Sequence, residues 1–586
     1  MTRQWQGYGA IVKAPGRVDF RLWAPDAREV ELLLGEQTLP MTREDNGEFV
    51  ALDVPASSGA AYRYCIDGGT AIADPASRAQ DGDVEAASLV VDPAAYRWRT
   101  EAWQGHAREQ LIICEVHVGL CGGFDGLRRQ LGHYAAAGYT AIELMPVAEF
   151  PGERNWGYDG VLPYAPESAY GSPDALRQLV DEAHSLGLSV LLDVVYNHFG
   201  PRGNLLSTYA PAFFDDDRST PWGAAIDFRQ PQVRRFFIGN ALMWLADYRF
   251  DGLRLDAVHA IAPEDFLLEL SAEARASCSP RQIHLILENE HNASHLLRGA
   301  FDAQWNDDGH NALHVLLTGE RHAYYADFAT RPIEQLALVL RDGFAFQGQA
   351  DRRGVSRGEP SGDLPPSAFV LFLQNHDQVG NRPFGERLST LAAPAALRAA
   401  VALVALSPMI PLFFMGDEWG CTTPFLFFCD YTGELAEAVR QGRAAEFSEG
   451  PASGAQRDLP DPNARSTFQA SVPRVEEADV ALSWSEWFAQ LLAKRRRQLC
   501  PALRGAHAID CEVIGNAALL ARWRLGDGSV WEMALNLGSV PATLPSSDTN
   551  TVVHAEPFDA AYPRCRGALP PHSLVVRLLP HAAPWI

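Results

Sequence analysis

The chain has 586 residues, 47% of them hydrophobic and 21% charged. That is an ordinary globular composition, in a chain long enough for roughly three or four domains. Its formal net charge of −24 argues against a nucleic-acid polyanion or an anionic membrane surface as partner, and suits a neutral ligand such as a sugar. The nine cysteines never form a C-x-x-C pair, the N-terminal Met1-Thr2-Arg3-Gln4-Trp5 lacks the apolar core of a signal peptide, and no apolar run reaches the ~18 residues of a membrane span, which together predict a reduced, cytoplasmic protein.

Residues 1–100 read as an N-terminal β-sandwich. Val18–Trp23, Val30–Leu34 and Tyr62–Ile66 alternate apolar and polar side chains, and turn residues such as Asp67-Gly68-Gly69 separate them. Residues 101–500 change pattern: eight apolar runs alternate with helical segments. The runs are Leu111–Val118, Thr140–Val147, Leu188–Val195, Gly252–Val258, Ile283–Leu287, Phe301–Trp305, Phe369–Leu373 and Met409–Met415. Near-continuous apolar strands between amphipathic helices indicate a covered parallel sheet, and eight such units fit an α/β fold of the (β/α)8 barrel type. Ser172-Pro173-Asp174 starts a helix over 175–186, ended by Gly187; 232–248 and 393–406 also carry apolar residues at helical spacing. A doubly wound open sheet is less suited, because His117–Gly123 matches G-x-G-x-x-G poorly. Long loops are expected after the third, sixth and eighth strands, with 449–463 exposed. Residues 501–586 return to strands, including 518–523, 530–536 and 574–579, and predict a C-terminal β-sandwich domain.

The ends of these strands carry the chemistry. They read Asp193–His198, Gly252–His259, Leu287-Glu288-Asn289-Glu290, Trp305-Asn306-Asp307-Asp308, Gln374-Asn375-His376-Asp377-Gln378 and Gly416-Asp417-Glu418. In a barrel all of them converge on one face. A ring of carboxylates with Arg and His but no phosphate loop suits glycoside cleavage: one carboxylic acid protonates the leaving oxygen, and a facing carboxylate meets the positive transition state. Arg254 and Asp256, two residues apart on a strand, point the same way, and the arginine is expected to keep Asp256 ionised. Glu288 is the residue expected to be held protonated; Glu290 lies further out in the loop. Asp193 reads equally well as structural. Asp307, Asp308, Asp417 and Glu418 are more often loop caps than catalysts. Among Trp156, Trp222, Trp305 and Tyr164, only Trp305 is expected to face sugar rather than core.

On these motifs the chain resembles the α-amylase family of glycoside hydrolases (glycoside hydrolase family 13). The resemblance spans about residues 110–500 through Asp193–His198, Gly252–His259, Leu287–Asn289 and Asn375–Asp377. It implies Asp256 as nucleophile, Glu288 as general acid/base and Asp377 as transition-state stabiliser. It also implies His198, Arg254 and His376 as contacts to the central sugar and Tyr158 as its stacking platform, with His259, Gln378 and Asn381 as further substrate contacts. Asn197 stands where many members ligate calcium, but no oxygen cluster in 199–228 completes such a site. No metal or cofactor is expected, and Asp215-Asp216-Asp217 reads as a solvated turn.

Within the family, a sandwich precedes the barrel in isoamylases, glycogen branching enzymes and the hydrolases that release trehalose from maltooligosyl trehalose. The segments Ala73–Arg78, Leu287–Asn289 and Phe301–Asp308 are most similar to the last group. That similarity implies an α-glucan oligosaccharide substrate, maltooligosyl trehalose, supplied by a companion maltooligosyl trehalose synthase. It makes the segment Gln304–Asp308, with Trp305, Asn306, Asp307 and Asp308, the candidate for reading the trehalose end. Gly309-His310-Asn311 departs from the group, where a bulky residue and paired histidines are expected. A branching or debranching enzyme would use the same three carboxylates, and an inactive glucan-binding protein would not need all of them.

Overall fold

The computed structural model describes residues 7–447, 458–475, 477–544, 551–557 and 567–580. Part of the loop expected over 449–463 therefore lies outside the described residues. Two antiparallel sheets form the N-terminal sandwich. One joins Gly9–Ala14, Arg17–Trp23, Glu48–Pro55 and Thr42–Arg43; the other is built on Gln37–Pro40, Val30–Leu34, Ala61–Ile66 and Ala71–Ile72. Val18, Phe20 and Leu22 point inward and are buried, the alternation their spacing foretells. This sandwich docks on the next domain through Glu48, which accepts from Arg235 Nη1 at 2.7 Å and Nη2 at 3.0 Å.

The eight apolar runs are the eight strands of a closed parallel barrel: β1 (Ile113–Val116), β2 (Ala141–Leu144), β3 (Ser189–Val194), β4 (Gly252–Leu255), β5 (His284–Leu287), β6 (Ala303–Trp305), β7 (Phe369–Phe372) and β8 (Ile410–Phe414), with β8 closing on β1. Each strand faces helices outside and the barrel axis inside, so both faces are buried. Ile113, Leu191, Ile286, Ala303, Val370 and Ile410 belong to the inward cluster.

The helix after β2 spans Pro173–Ser185; Ser172 accepts from Ala175 N, and Gly187 follows at φ +76°. The helix expected over 232–248 is α-helical only over Pro231–Leu242; Met243–Asp247 then widens to a π-turn. The helix expected over 393–406 is Pro394–Leu406. The C-terminal sheet orders His507–Gly515, Ala518–Arg524, Val530–Asn536, Ser573–Leu579 and Thr551–Glu556. It packs on the barrel helices through two buried tryptophans, Trp523 donating to Leu340 O and Trp531 to Leu406 O. No helix among the described residues is long and apolar enough to cross a membrane, and eight cysteines are free thiols.

Candidate active site

Period-two alternation carries a second layer of side chains, above the apolar floor, into the barrel mouth. Strand register pairs Glu115 with Glu143 and Asp193 with Arg254. Arg254 is fully buried, and it organises the layer. Its Nη1 donates to Asp193 Oδ2 at 2.7 Å and to Asp256 Oδ1 at 2.9 Å. Its Nη2 lies 3.0 Å from Glu288 Oε2. One fork thus reaches both carboxyls that a retaining reaction needs close together, about 5–5.5 Å apart. The Trp305 ring lies under the guanidinium, 4.1 Å from centroid to Cζ.

Asp256 follows the end of β4 and is held from its other side. Asn197 Nδ2 donates to Asp256 Oδ2 at 2.7 Å and to its carbonyl at 3.0 Å. This donor was not foreseen from the sequence. The Asn197 amide oxygen faces His198 Nδ1, so both ends of Asn197 are engaged within the protein and the residue does not fit a calcium ligand here. Among the described residues no group of three or more His, Cys, Asp or Glu side chains is arranged to hold a metal. Burial pushes the Asp256 carboxyl up; Arg254 opposes this without reversing it. The net direction is therefore contrary to the expected depression, because desolvation outweighs the arginine.

Glu288, at the end of β5, accepts from Ala257 N at 2.8 Å. Burial raises it to about 7, reinforced by Asp256 and Asp377 and opposed by Arg254. A carboxyl at that value is suited to give and take a proton near neutrality. Glu290 points outward and is exposed, 3.8 Å from His259 Nε2. His259 is half-buried on the same rim; burial lowers it and Glu288 opposes.

Asp377, after β7, starts a short helix capped by Asn375. Burial alone would raise it, but His376 brings it below the usual range. His376 Nε2 lies 3.3 Å from Asp377 Oδ1. Asn381 Nδ2 donates to the same oxygen at 3.3 Å. Gln378 turns back instead, its Oε1 accepting from Asn375 N at 3.2 Å. Tyr158, in the loop after β2, stacks on His376 with centroids 5.0 Å apart and donates its hydroxyl to Asp193 Oδ2 at 2.6 Å. Asp193 itself is buried beneath these groups. His198 directs Nε2 toward Tyr158 O at 3.1 Å, so neither ring nitrogen is free. Its ring face meets exposed Trp222, at 5.7 Å and 24°. The expectation that Trp222 is core is thereby corrected: it stands at the mouth as an aromatic surface.

The segment after β6 differs most from expectation. Trp305 is 1% exposed and packs on Phe372 and Arg254, so it is floor, not sugar platform. Asn306 is fully buried; its Oδ1 caps helix Asp307–Thr318 at Gly309 N, and its Nδ2 donates to Gly343 O at 2.6 Å. Asp308 accepts from Asn292, Ala345 N, Phe346 N and Arg357, which anchors the loop after this helix. Neither has capacity left for substrate. Gln304 is fully buried and donates its Nε2 to Asn289 O and Asn292 Oδ1, while its Oε1 has no partner among the described residues. Asp307 alone stays half-buried at the rim; burial lifts it to about 8, with Glu288 adding to the rise. His310 and Asn311 are buried helix positions. Gly309 has a packing reason, since an added Cβ would lie 2.6 Å from Leu371 Cδ1.

Elsewhere, Asp417 accepts from Phe414 N and Gln374 and Glu418 from Gly416 N, both as loop anchors. The acidic run 215–217 is part of strand Phe214–Thr220 rather than a turn, with Asp215 buried against Arg229 at 3.0 Å. Trp156 and Tyr164 are core.

A closed barrel whose mouth gathers a near-neutral acid, a buried aspartate and one shared arginine defines an α-amylase-type glycoside hydrolase. The comparisons agree. Residues 78–209 match the alpha amylase catalytic domain, 7–95 the carbohydrate-binding module 48 (isoamylase N-terminal domain), and 506–576 a domain of unknown function, DUF3459. A malto-oligosyltrehalose trehalohydrolase of Deinococcus radiodurans is 41% identical over 80% of this chain and 77% of its own. That of a Rhizobium species is 37% identical over 92% and 94%. A solved Salmonella typhimurium chain, provisionally assigned to the alpha amylases, superposes with a TM-score of 0.92 at 41% identity, over 98% and 99% of the two chains. The chain belongs to the malto-oligosyltrehalose trehalohydrolase family.

Proposed function

We propose that this chain hydrolyses the α-1,4-glucosidic bond next to the terminal trehalose of maltooligosyl trehalose, with retention, releasing trehalose and a shortened maltooligosaccharide. The observation that carries the reading is Arg254 reaching both Asp256 and Glu288, with burial raising Glu288 to about 7. In the first step the ionised Asp256 attacks the anomeric carbon. The C–O bond to trehalose breaks, and Glu288 gives its proton to the departing oxygen. In the second, Glu288 takes a proton from water, the water oxygen bonds to the anomeric carbon, and Asp256 leaves as carboxylate. Asp377, kept ionised by His376, faces the positive charge that develops on the sugar in the transition state of each step. Tyr158 and Trp222 offer ring faces to the sugar, with His259 and Asn381 at the rim.

Asp307 is the residue of the segment after β6 left to meet the trehalose end. The substrate carries a trehalose cap on an α-1,4 chain, so a companion maltooligosyl trehalose synthase must supply it. Free thiols at eight described cysteines support a reducing, cytoplasmic setting. Product analysis with maltooligosyl trehalose, maltooligosaccharide and amylose in parallel tests the reading. Free trehalose from the first substrate supports it. Absence of trehalose with new α-1,6 branches in amylose would replace it with a branching reaction on the same carboxyls.

A further inference from the structure

Glu115 on β1 and Glu143 on β2 are neighbouring acids inside the barrel, each 1% exposed, and no role has been given to either. Like charges side by side in register repel, and two bare carboxylates here would be costly. The structure resolves the conflict asymmetrically. Glu143 has no hydrogen-bond partner on either oxygen. Burial pushes it well above the usual carboxylate range, reinforced by Glu115 and Asp193 and opposed by Arg254 and His376, which favours its neutral form. Glu115 is fully committed to one residue: its Oε2 accepts from His376 N at 2.9 Å and its Oε1 faces His376 Nδ1 at 2.6 Å. The other ring nitrogen of His376 faces Asp377 Oδ1 at 3.3 Å.

We propose that Glu115 is a positioning residue that holds His376 as a doubly protonated imidazolium, aimed at Asp377 and the sugar subsite. A ring with a carboxylate oxygen opposite each nitrogen needs a hydrogen on both, and that ring is a cation. His376 is 1% exposed and clamped between Tyr158, Trp156 and Trp305, so it cannot turn away. Burial works against the charge, and Asp377 and Glu115 more than offset it. The other charged groups that interact with the ring or its partners include Glu143, Asp193, Arg254, Asp256, Glu288, Asp307 and His117. Only Glu115 contacts Nδ1. In this arrangement Glu115 acts on the reaction through two intermediaries: it charges His376, and the charged ring keeps Asp377 ionised while substrate enters.

The inference rests on the proposed reaction for its kinetic consequence but not for its first readout. Nitrogen NMR of the full chain labelled at its 17 histidines, with His376 assigned by its loss in His376→Gln, reports the charge of the ring without substrate. In the wild type His376 is expected to stay an imidazolium well above the pH at which an ordinary histidine loses its charge. Glu115→Gln keeps an acceptor of the same shape and removes the charge. The ring should then lose its charge at a lower pH than in the wild type, and trehalose release should lose at least about tenfold in kcat/KM, recovering toward acid pH. Glu115→Asp, which restores the charge, should restore the imidazolium, and it serves if the Gln variant does not fold. Glu143→Gln should leave the imidazolium in place. A neutral His376 in the wild type, an unchanged imidazolium in Glu115→Gln, or its loss in Glu143→Gln would overturn the assignment. A wild type that holds the imidazolium yet releases no trehalose would instead refute the proposed reaction and leave this inference standing.

Discussion

The barrel has a buried charge cluster at each end, and the two are wired differently. At the closed end, Asp251 precedes β4 and is fully buried. It accepts from Val190 N and His184 Nε2 at 2.9 Å each and from Trp103 Nε1 at 2.9 Å, with Arg281 at 3.6 Å. Burial would raise this carboxyl, but His184, Arg281 and these donors bring it below the usual range. At the open end one arginine serves three acids, and Asp193 Oδ1, both Glu143 oxygens and Arg254 Nε have no partner. There burial wins at Glu143, Asp256 and Glu288, which are all lifted, while Asp377, paired with His376, is lowered. Equal burial thus gives opposite outcomes, because the number of donors per acid differs. An acid fully supplied with donors, as Asp251 is, holds structure. An undersupplied cluster keeps acids near their switching point, which is what proton transfer requires.

Breaking each end separately sharpens this contrast. The largest effect is expected at the mouth. Asp256→Asn should lower trehalose release by about 10⁴-fold or more while the melting temperature stays near wild type, read by steady-state kinetics and calorimetry. Glu288→Gln comes next, with a loss of roughly 10²–10⁴-fold. Its pH profile is diagnostic. The acid form of Glu288 is needed, so wild-type kcat/KM should fall as pH rises through about 7, and that limb should vanish in the variant. Asp256 must be ionised and burial raises it, so the acid limb should begin above the ordinary aspartate range.

Asp251→Ala reverses the signature. Removing one partner of a buried pair should cost about 3–5 kcal/mol of stability, with little change in the per-molecule rate of the folded fraction. Because Asp251 is depressed in the folded state, its contribution is present above the unfolded value of about 3.9 and lost as pH falls through the folded one. The stability deficit of the variant should therefore shrink in acid, and a deficit independent of pH would contradict the assignment. The smallest effect belongs to Asn306→Ala, about 1 kcal/mol of stability for a lost helix cap. KM should not move; a large rise would return Asn306 to the substrate.

The barrel was legible because fully buried parallel strands leave continuous apolar runs, and the placement of Asp256, Glu288 and Asp377 at its mouth was legible because each lies within or shortly beyond the end of such a run. The segment after β6 was misread for a physical reason. Once the strand ends, successive side chains no longer alternate, and the start of the next helix decides their direction. Asn306-Asp307-Asp308 ahead of an apolar helical stretch is itself a capping signature, and it would have placed Asn306 inside. Asn197, Glu115 and Glu143 were missed differently. A lone glutamate in a fully apolar strand reports burial, but not which partner lies across the barrel. Trp222 sits between Pro221 and Gly223, a context that signals exposure and outweighs the general preference of tryptophan for core.

The central claim is that Asp256 bonds to the sugar while Glu288 handles the proton. A fluorinated α-glucosyl donor that forms its glycosyl-enzyme faster than it hydrolyses tests this directly, with peptide mass spectrometry of the trapped protein. The account predicts one glucosyl adduct, on Asp256. An adduct on Glu288 or Asp377, or hydrolysis with inversion and no adduct at all, would contradict it.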